Sequence, residues 1–225
     1  MREAIILAGG EGWRLKPHTW IPKPLLKING ETLIDRQISW LYSNGFENII
    51  VASDRDDLTK YDVTYSLEER KLGTGGATKR AFEKVSGDRA YVMNVDDIVF
   101  YDPNELLDYA SKGAGVLLAK PRLPFGRVTL QNRVDVIRFE QNPALDFYVS
   151  AGHHVFKRRV VEKFFPDVGD FEFTTMQRLA DNRMLQGCIY QGVWFTLNTM
   201  KDLIRICDFF KPTAKRIYAV TPRVR

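Results

Sequence analysis

The sequence predicts an α/β protein: a single-domain, Rossmann-like three-layer sandwich with a mixed, mostly parallel sheet between helices. Three observations carry this. The first half alternates short continuous apolar runs with amphipathic segments, the order expected when parallel strands are joined by helical crossovers. A glycine-rich loop follows the first apolar run directly, at the strand end where open α/β sheets present backbone to ligands. The chain has 225 residues, 44% hydrophobic and 27% charged, which suits one globular domain with a full core and excludes disordered or collagen-like classes.

Residues 4–8 are continuously apolar and stop at Gly9 and Gly10, as a strand buried on both faces does. Residues 32–43 set Leu33, Ile34, Ile38, Leu41 and Tyr42 at helical spacing, with Asn44 and Gly45 as a stop signal. Residues 48–52 read as a second strand and 63–66 as a weaker third. The spacing predicts a helix over 78–85, opening from the glycines at 73–76, and a buried strand over 90–95. A helix over 103–111 begins with Pro103 at a first-turn position, and 116–119 is a further strand. From Phe125 onward, 127–130, 134–139 and 148–156 read as strands separated by polar turns. Helices are expected over 171–179 and 199–210, with strands over 185–190 and 193–197 between them. The expected organisation is one domain, residues 1–210, followed by a basic tail, 211–225.

Charge narrows the partners. Lys and Arg number 33 against 28 Asp and Glu, a formal +5. Lys211, Lys215, Arg216, Arg223 and Arg225 account for that excess, so the body of the chain is formally neutral. A nucleic-acid reader concentrates basic charge on its folded face, so no nucleic-acid partner is predicted. The longest apolar runs fall far below the ~20 residues of a membrane helix, so no membrane partner is predicted, and the N-terminal run is too short for a secretory signal. Cys188 and Cys207 suit reduced core thiols better than a disulfide framework or a metal site, which predicts a cytoplasmic protein. Whether it forms a homo-oligomer is left open.

The chemistry concentrates in residues 7–26, LAGGEGWRLKPHTWIPKPLL. Gly9, Gly10 and Gly12 let backbone N–H groups approach a base or phosphate closely. Arg14 supplies a planar, permanently charged fork for phosphate oxygens. Lys23 lies between Pro22 and Pro24, which restrict the backbone around its charge. A tight turn in any α/β protein is the alternative reading, and Arg14 with a proline-clamped Lys23 at this spacing weighs against it. Asp96 and Asp97 end the strand over 90–95, where two carboxylates beside a phosphate loop suit Mg²⁺ through hard oxygen ligands; a solvated strand end is the alternative. Gly73, Thr74, Gly75 and Gly76 open a helix whose first turn can offer N–H groups to a nucleotide, or can serve only as a tight helix entrance.

The opening pattern, two glycines, Gly12, Arg14, Leu15, Pro17, Thr19 and Pro22-Lys23-Pro24, resembles that of the sugar-1-phosphate nucleotidylyltransferases, with Trp13 where they carry Thr. The resemblance continues through KLGTGGATKRA, residues 71–81, and more weakly to about Phe210. It implies a GT-A-like Rossmann fold and attack of a sugar 1-phosphate oxygen on the α-phosphorus of an NTP, giving an NDP-sugar and pyrophosphate. It implies catalytic roles for Arg14 and Lys23, and nucleotide binding at Leu7, Ala8, Gly9, Gly10, Gly12, Gly73, Thr74 and Gly75. Sugar binding is implied at Gly126, Gln141, Asn142 and Gly152, with Asp96 as the ligand of a Mg²⁺ cofactor. The LGTGG loop looks most like that of mannose- or heptose-phosphate guanylyltransferases.

Several positions depart from that pattern. Gln141 and Asn142 stand where Glu and Lys are expected, and Asn can only hydrogen-bond a phosphate. In GVWFTLNT, Thr196 holds the place of a second metal-binding Asp and Asn198 that of a Gly. Asp97 is a candidate replacement for the missing carboxylate. Of His153 and His154, strand alternation sends one toward the cleft and one into the packing. These departures motivate a second hypothesis, a regulatory or nucleotide-sugar-binding paralogue without catalysis. A GT-A-like glycosyltransferase is a third, which has no use for Arg14 and the Pro-Lys-Pro set.

Overall fold

Successive side chains of a strand point to opposite faces, and here that alternation divides the interior into two cores. The computed structural model describes residues 1–10 and 12–211. Seven strands form the main sheet: β1 (Glu3–Leu7), β2 (Asn48–Ser53), β3 (Thr64–Leu67), β4 (Arg89–Asn94), β5 (Ala114–Ala119), β6 (Val149–Lys157) and β7 (Leu185–Ile189). Their order is β7-β5-β6-β4-β1-β2-β3. Every neighbouring pair is parallel except those of β6, which runs antiparallel to both β4 and β5.

In β1, Ala4 and Ile6 belong to one apolar cluster, and Ile5 and Leu7 to the other. Ile49 and Val51 oppose Ile50 and Ala52 in β2 in the same way, and Tyr91 and Met93 oppose Ala90 and Val92 in β4. Helices α1 (Leu33–Ser43), α2 (Gly73–Phe82), α3 (Asn104–Asp108), α4 (Arg158–Phe164), α5 (Phe171–Thr174), α6 (Met176–Asp181) and α7 (Met200–Phe210) cover the two faces. The first cluster takes Ile34 and Ile38 of α1, Leu106 of α3 and Ile206 of α7. The second takes Ala81 of α2, Val160 of α4, Phe171 of α5 and Leu179 of α6. This is the three-layer α/β sandwich with a mixed, mostly parallel sheet that the sequence predicts.

The two longest helices start at side-chain caps. The Thr32 hydroxyl accepts from the Asp35 N–H at 3.2 Å, and Thr199 and Asp202 form a reciprocal capping box ahead of α7. Each such cap contributes about 1 kcal/mol.

Several elements differ from expectation. The helix expected over 78–85 begins at Gly73, because packing against a distant loop overrides the low helix propensity of its glycines. The helix expected over 171–179 breaks at Thr175 into α5 and α6. Helix α4 is unforeseen; it follows β6 without a linker and buries Val160, Val161 and Phe164. Of the strand expected over 193–197, only Phe195–Thr196 pairs, antiparallel to Asp97–Ile98. Gly126–Gln131 and Asp135–Gln141 form a separate hairpin. Cys188 and Cys207 are unpaired. Among the described residues no helix is long and apolar enough to cross a membrane. All of the basic tail after Lys211 lies outside the described residues.

Candidate functional site

The chain leaves the sheet at Gly9, one residue after the Ala8 N–H makes its last sheet bond, to the Ala52 carbonyl at 2.9 Å. Gly10 and Gly12 take positive φ, 111° and 59°, a region that glycine enters without steric cost. A Cβ on Gly10 would meet nothing within 4 Å, so this loop faces open space. Ala8, Gly9, Gly10 and Gly12, with Lys16 and Trp20, line a cavity of about 400 Å³ that Arg55, Glu68 and Lys71 also line. Leu7 is not part of this wall. Its side chain lies in the second core and its carbonyl accepts from the Val95 N–H at 3.1 Å.

Because β1 and β4 are parallel neighbours, with Leu7 opposite Asn94, their carboxyl ends lie side by side and bring Asp96 next to the glycine loop. Lys23 Nζ is 2.7 Å from Asp96 Oδ2, with both side chains about one-fifth exposed. The backbone beneath Asp96 is held from three directions. Gln37 of α1 donates to the Val95 and Asp97 carbonyls at 3.1 and 2.8 Å. The Leu197 N–H donates to the Asp96 carbonyl at 2.9 Å. His153 Nε2 lies 3.1 Å from the Asp97 carbonyl. A carbonyl only accepts, so Nε2 carries the proton. His153 Nδ1 therefore accepts from the Tyr91 hydroxyl at 2.6 Å, and Tyr91 accepts from Tyr101 at 2.8 Å.

Asp97 points inward instead of beside Asp96. Its carboxylate accepts from Asn94 Nδ2 at 3.1 Å and Trp194 Nε1 at 3.0 Å. Burial, with the charge of Asp96, pushes its carboxyl up to about 7. The proposed replacement of a missing metal ligand is therefore corrected: Asp97 is enclosed. Gly152, at φ 76° in a strand whose register shifts beside it, is the residue that makes room, since a Cβ there would overlap the Asp97 carboxylate.

The unusual residues at 196 and 198 form one connected path. Arg14 donates to Asn198 Oδ1 at 2.9 Å, and Asn198 Nδ2 donates to Thr196 Oγ1 at 3.2 Å. Thr196 lies directly across its short ladder from Asp97. Local sequence could not have linked Arg14 to Asn198, which lies 184 residues away.

Neither histidine reaches the cleft. His153 is fully buried beside Trp40 and Tyr91, and His154 is buried on the other face beside Phe156 and Phe171. Burial pulls their pKa values down to about 4 and about 3 respectively, so both are neutral at physiological pH.

The second glycine loop is filled by the protein itself. The Thr74 N–H donates to Asp170 Oδ1 at 3.0 Å, and the Gly75 N–H donates to the Gly169 carbonyl at 2.9 Å. A Cβ on Gly73 would lie 2.7 Å from the Gly169 backbone, and one on Gly75 would lie 2.6 Å from the Gly169 carbonyl. The N–H groups of Thr74 and Gly75 thus serve the close passage of residues 167–171. The nearby group that does face the cavity is Glu68, which the sequence reading missed. Its Oε2 accepts from the Leu72 N–H at 3.1 Å, and its Oε1 lies 3.7 Å from where a Gly9 Cβ would be. Burial raises its pKa, and the Leu72 N–H opposes that shift. A carboxylate just before a glycine loop was the available signal.

At the hairpin base, Gln141 pairs with Gly126, and Gly126 leaves space for the Phe139 ring that a Cβ would overlap. Asn142 sits at φ 56°; its N–H donates to the Phe125 carbonyl and its carbonyl accepts from Arg122 at 3.0 Å. Gln141 is exposed, so Gln141 and the Asn142 side chain remain the polar candidates on this side.

The donor set fits a divalent cation that shares its coordination with substrate. Among the described residues no group of three or more His, Cys, Asp or Glu could hold a metal. Mg²⁺ needs only one or two carboxylates when phosphates and water complete its shell, and Asp96 has one oxygen beyond that held by Lys23.

A family model described as nucleotidyl transferase matches residues 3–211. Mannose-1-phosphate guanyltransferase of Saccharomyces cerevisiae is 27% identical over 90% of this chain and 63% of its own length. That of Candida albicans is 29% identical, over 90% and 62%. The chain thus spans less than two thirds of these curated relatives. Among solved structures, HddC from Yersinia pseudotuberculosis superposes with a TM-score of 0.73 at 21% identity, covering 94% of this chain and all of that one; its complex with GMP-PN gives 0.71. Likeness at that identity shows a shared fold. With nearly the whole chain inside the family model, the chain belongs to the nucleotidyl transferase family.

Proposed function

From membership in the nucleotidyl transferase family, we propose that this chain forms an NDP-sugar and pyrophosphate from an NTP and a sugar 1-phosphate, with GTP as the nucleotide. The observation that carries the reading is the contact of Lys23 with Asp96 beside the open glycine loop. It sets a cation and a metal-binding carboxylate 2.7 Å apart where a triphosphate would lie. Such a transfer brings several phosphate charges together, so the site needs fixed cations and in-line positioning more than a base.

A phosphate oxygen of the sugar 1-phosphate forms a bond to the α-phosphorus while the bond from that phosphorus to the bridging oxygen breaks. Its electron pair leaves with pyrophosphate. Lys23 faces the α-phosphate, and Arg14, steadied by Asn198, takes the departing pyrophosphate. Glycines 9, 10 and 12 admit the phosphates close to backbone. Asp96, together with the phosphates, would hold Mg²⁺, which would supply further charge neutralisation. Gln141 and Asn142 contribute hydrogen bonds to the sugar phosphate side without a cation.

Guanine is favoured by Glu68, because a carboxylate pairs with the adjacent N1–H and N2–H₂ donors of that base, whereas uracil and thymine offer one ring N–H between two acceptors. The relatives named as mannose-1-phosphate guanyltransferases support the same base and suggest a hexose 1-phosphate. The substitution of Thr196 and Asn142 for charged residues favours, as a second reading, a paralogue that binds nucleotide without turnover. Incubation with Mg²⁺, each NTP and a panel of sugar 1-phosphates, with pyrophosphate release as readout, separates the two. Release with GTP and one sugar phosphate is expected; tight GTP binding with no release across the panel would leave the paralogue.

A further inference from the structure

The loop that carries Arg14 carries another cation, to which the resemblance assigns no role. Gly12 turns the chain into a single 3-10 turn, Trp13–Leu15, pinned by the buried Leu15. Arg14 leaves this turn toward Asn198, whereas Lys16 lines the nucleotide cavity. Its ammonium lies 4.0 Å from the centroid of the Trp13 ring and 5.1 Å from that of Trp20. Among the described residues it has no carboxylate partner, in contrast to Lys23 with Asp96 and Arg55 with Asp57.

An ammonium is strongly hydrated and ordinarily extends to water or to a carboxylate. The negative faces of two indoles can hold it in place without neutralising its charge. Both rings are mostly exposed, at 68% and 73%, which is unusual for tryptophan on a surface with no partner. Trp13 stands where the related pattern has Thr, so the aromatic clamp is a feature of this chain's own loop. Lys16 and glycines 9, 10 and 12 line the same cavity, so a polyphosphate seated over those glycines would lie beside the Lys16 ammonium.

We propose that Lys16, held by Trp13 and Trp20, is a third cation of the nucleotide site that binds triphosphate oxygens beyond the α-phosphate. This rests on the nucleotidyl transfer reading, and the test separates the two. Binding of GTP and GMP is measured by calorimetry for the wild-type protein, Lys16→Met and Lys16→Arg, with thermal midpoints as a folding control. Lys16→Met keeps the apolar stem and removes the charge. It is expected to weaken GTP about tenfold, the size of one charge-assisted hydrogen bond, with GMP changed less than about twofold; Lys16→Arg should restore most of the loss. Tryptophan emission should change when GTP binds, and that change should largely vanish in a Trp13→Phe, Trp20→Phe double variant. Equal affinity of Lys16→Met and wild type for GTP, or equal weakening of GTP and GMP, overturns the proposal alone. Failure of the wild-type protein to bind any NTP overturns the underlying reading and this proposal with it.

Discussion

The two glycine-rich loops look alike in sequence and do opposite things in the fold. Glycines 9, 10 and 12 leave β1 into open space and line a cavity, whereas glycines 73, 75 and 76 are covered by the backbone of residues 167–171. Glycine in both places means that backbone approaches closely. Sequence does not say whether the approaching group is a ligand or another stretch of the same chain. At the first loop the neighbours are charged groups with room beside them, Lys23 and Asp96; at the second, Asp170 and Gly169 consume the N–H donors of the helix start.

Breaking this contrast gives graded effects. The largest is expected at Asp96, which serves the open loop. Asp96→Asn should lower pyrophosphate release by about 100-fold or more with the folded circular dichroism spectrum intact, while Thr74→Val at the closed loop should leave turnover near wild type. Turnover that survives Asp96→Asn would remove Asp96 as the metal ligand.

Stability should show the reverse pattern. A Cβ on Gly76 would overlap the Asp167 carbonyl, while one on Gly9 would meet Glu68 at an ordinary 3.7 Å. Gly76→Ala should cost about 2 kcal/mol or more in urea unfolding, and Gly9→Ala less than about 0.5 kcal/mol. Equal losses at both positions would mean that the first loop is as closed as the second. At the boundary between the loops, Glu68→Gln should reduce the preference for GTP over other NTPs by about tenfold, in line with the worth of a bidentate base contact, as read by competition binding.

The smallest effect tests the packing beneath the closed loop, where His154 touches Phe171. Its pKa is about 3 in the fold, against 6.5 when free. The unfolded chain therefore binds an extra proton below pH 6.5, and the stability from keeping this ring neutral, complete above that pH, is lost progressively as pH falls toward 3. Asp97, raised from 3.8 to about 7, acts in the other direction: its contribution is complete below about 4 and fades as pH rises to 7. His154→Phe should thus reduce the loss of stability between pH 7.5 and 5.8 by about 1 kcal/mol, measured by urea unfolding at both pH values. An unchanged loss would show that His154 titrates normally.

Much of the fold was legible because local pattern encodes it. The apolar runs that became β1, β2 and β4 announced buried parallel strands, and Thr32 and Thr199 marked helix starts. Helix α4 was missed because it follows β6 with no turn residue between them, so no change of texture marks its start. Of the site, Arg14, Lys23 and Asp96 were legible because each charge sits in a local frame that makes burial or ligand contact the natural use. The path from Arg14 through Asn198 and Thr196 to Asp97 was not, since its members are spread over 184 positions.

By itself the sequence determined the layer architecture, the placement of glycine in both loops and the charged residues that accompany the first. Period, glycine placement and proline restriction are properties of neighbouring residues, and they act before the chain is folded. Only the tertiary structure decided that Asp97 turns inward against Gly152, that His153 and His154 are both buried, and that residues 167–171 close the second glycine loop. Each of these depends on which distant segment fills a space, and excluded volume between segments far apart in sequence leaves no mark on either one alone.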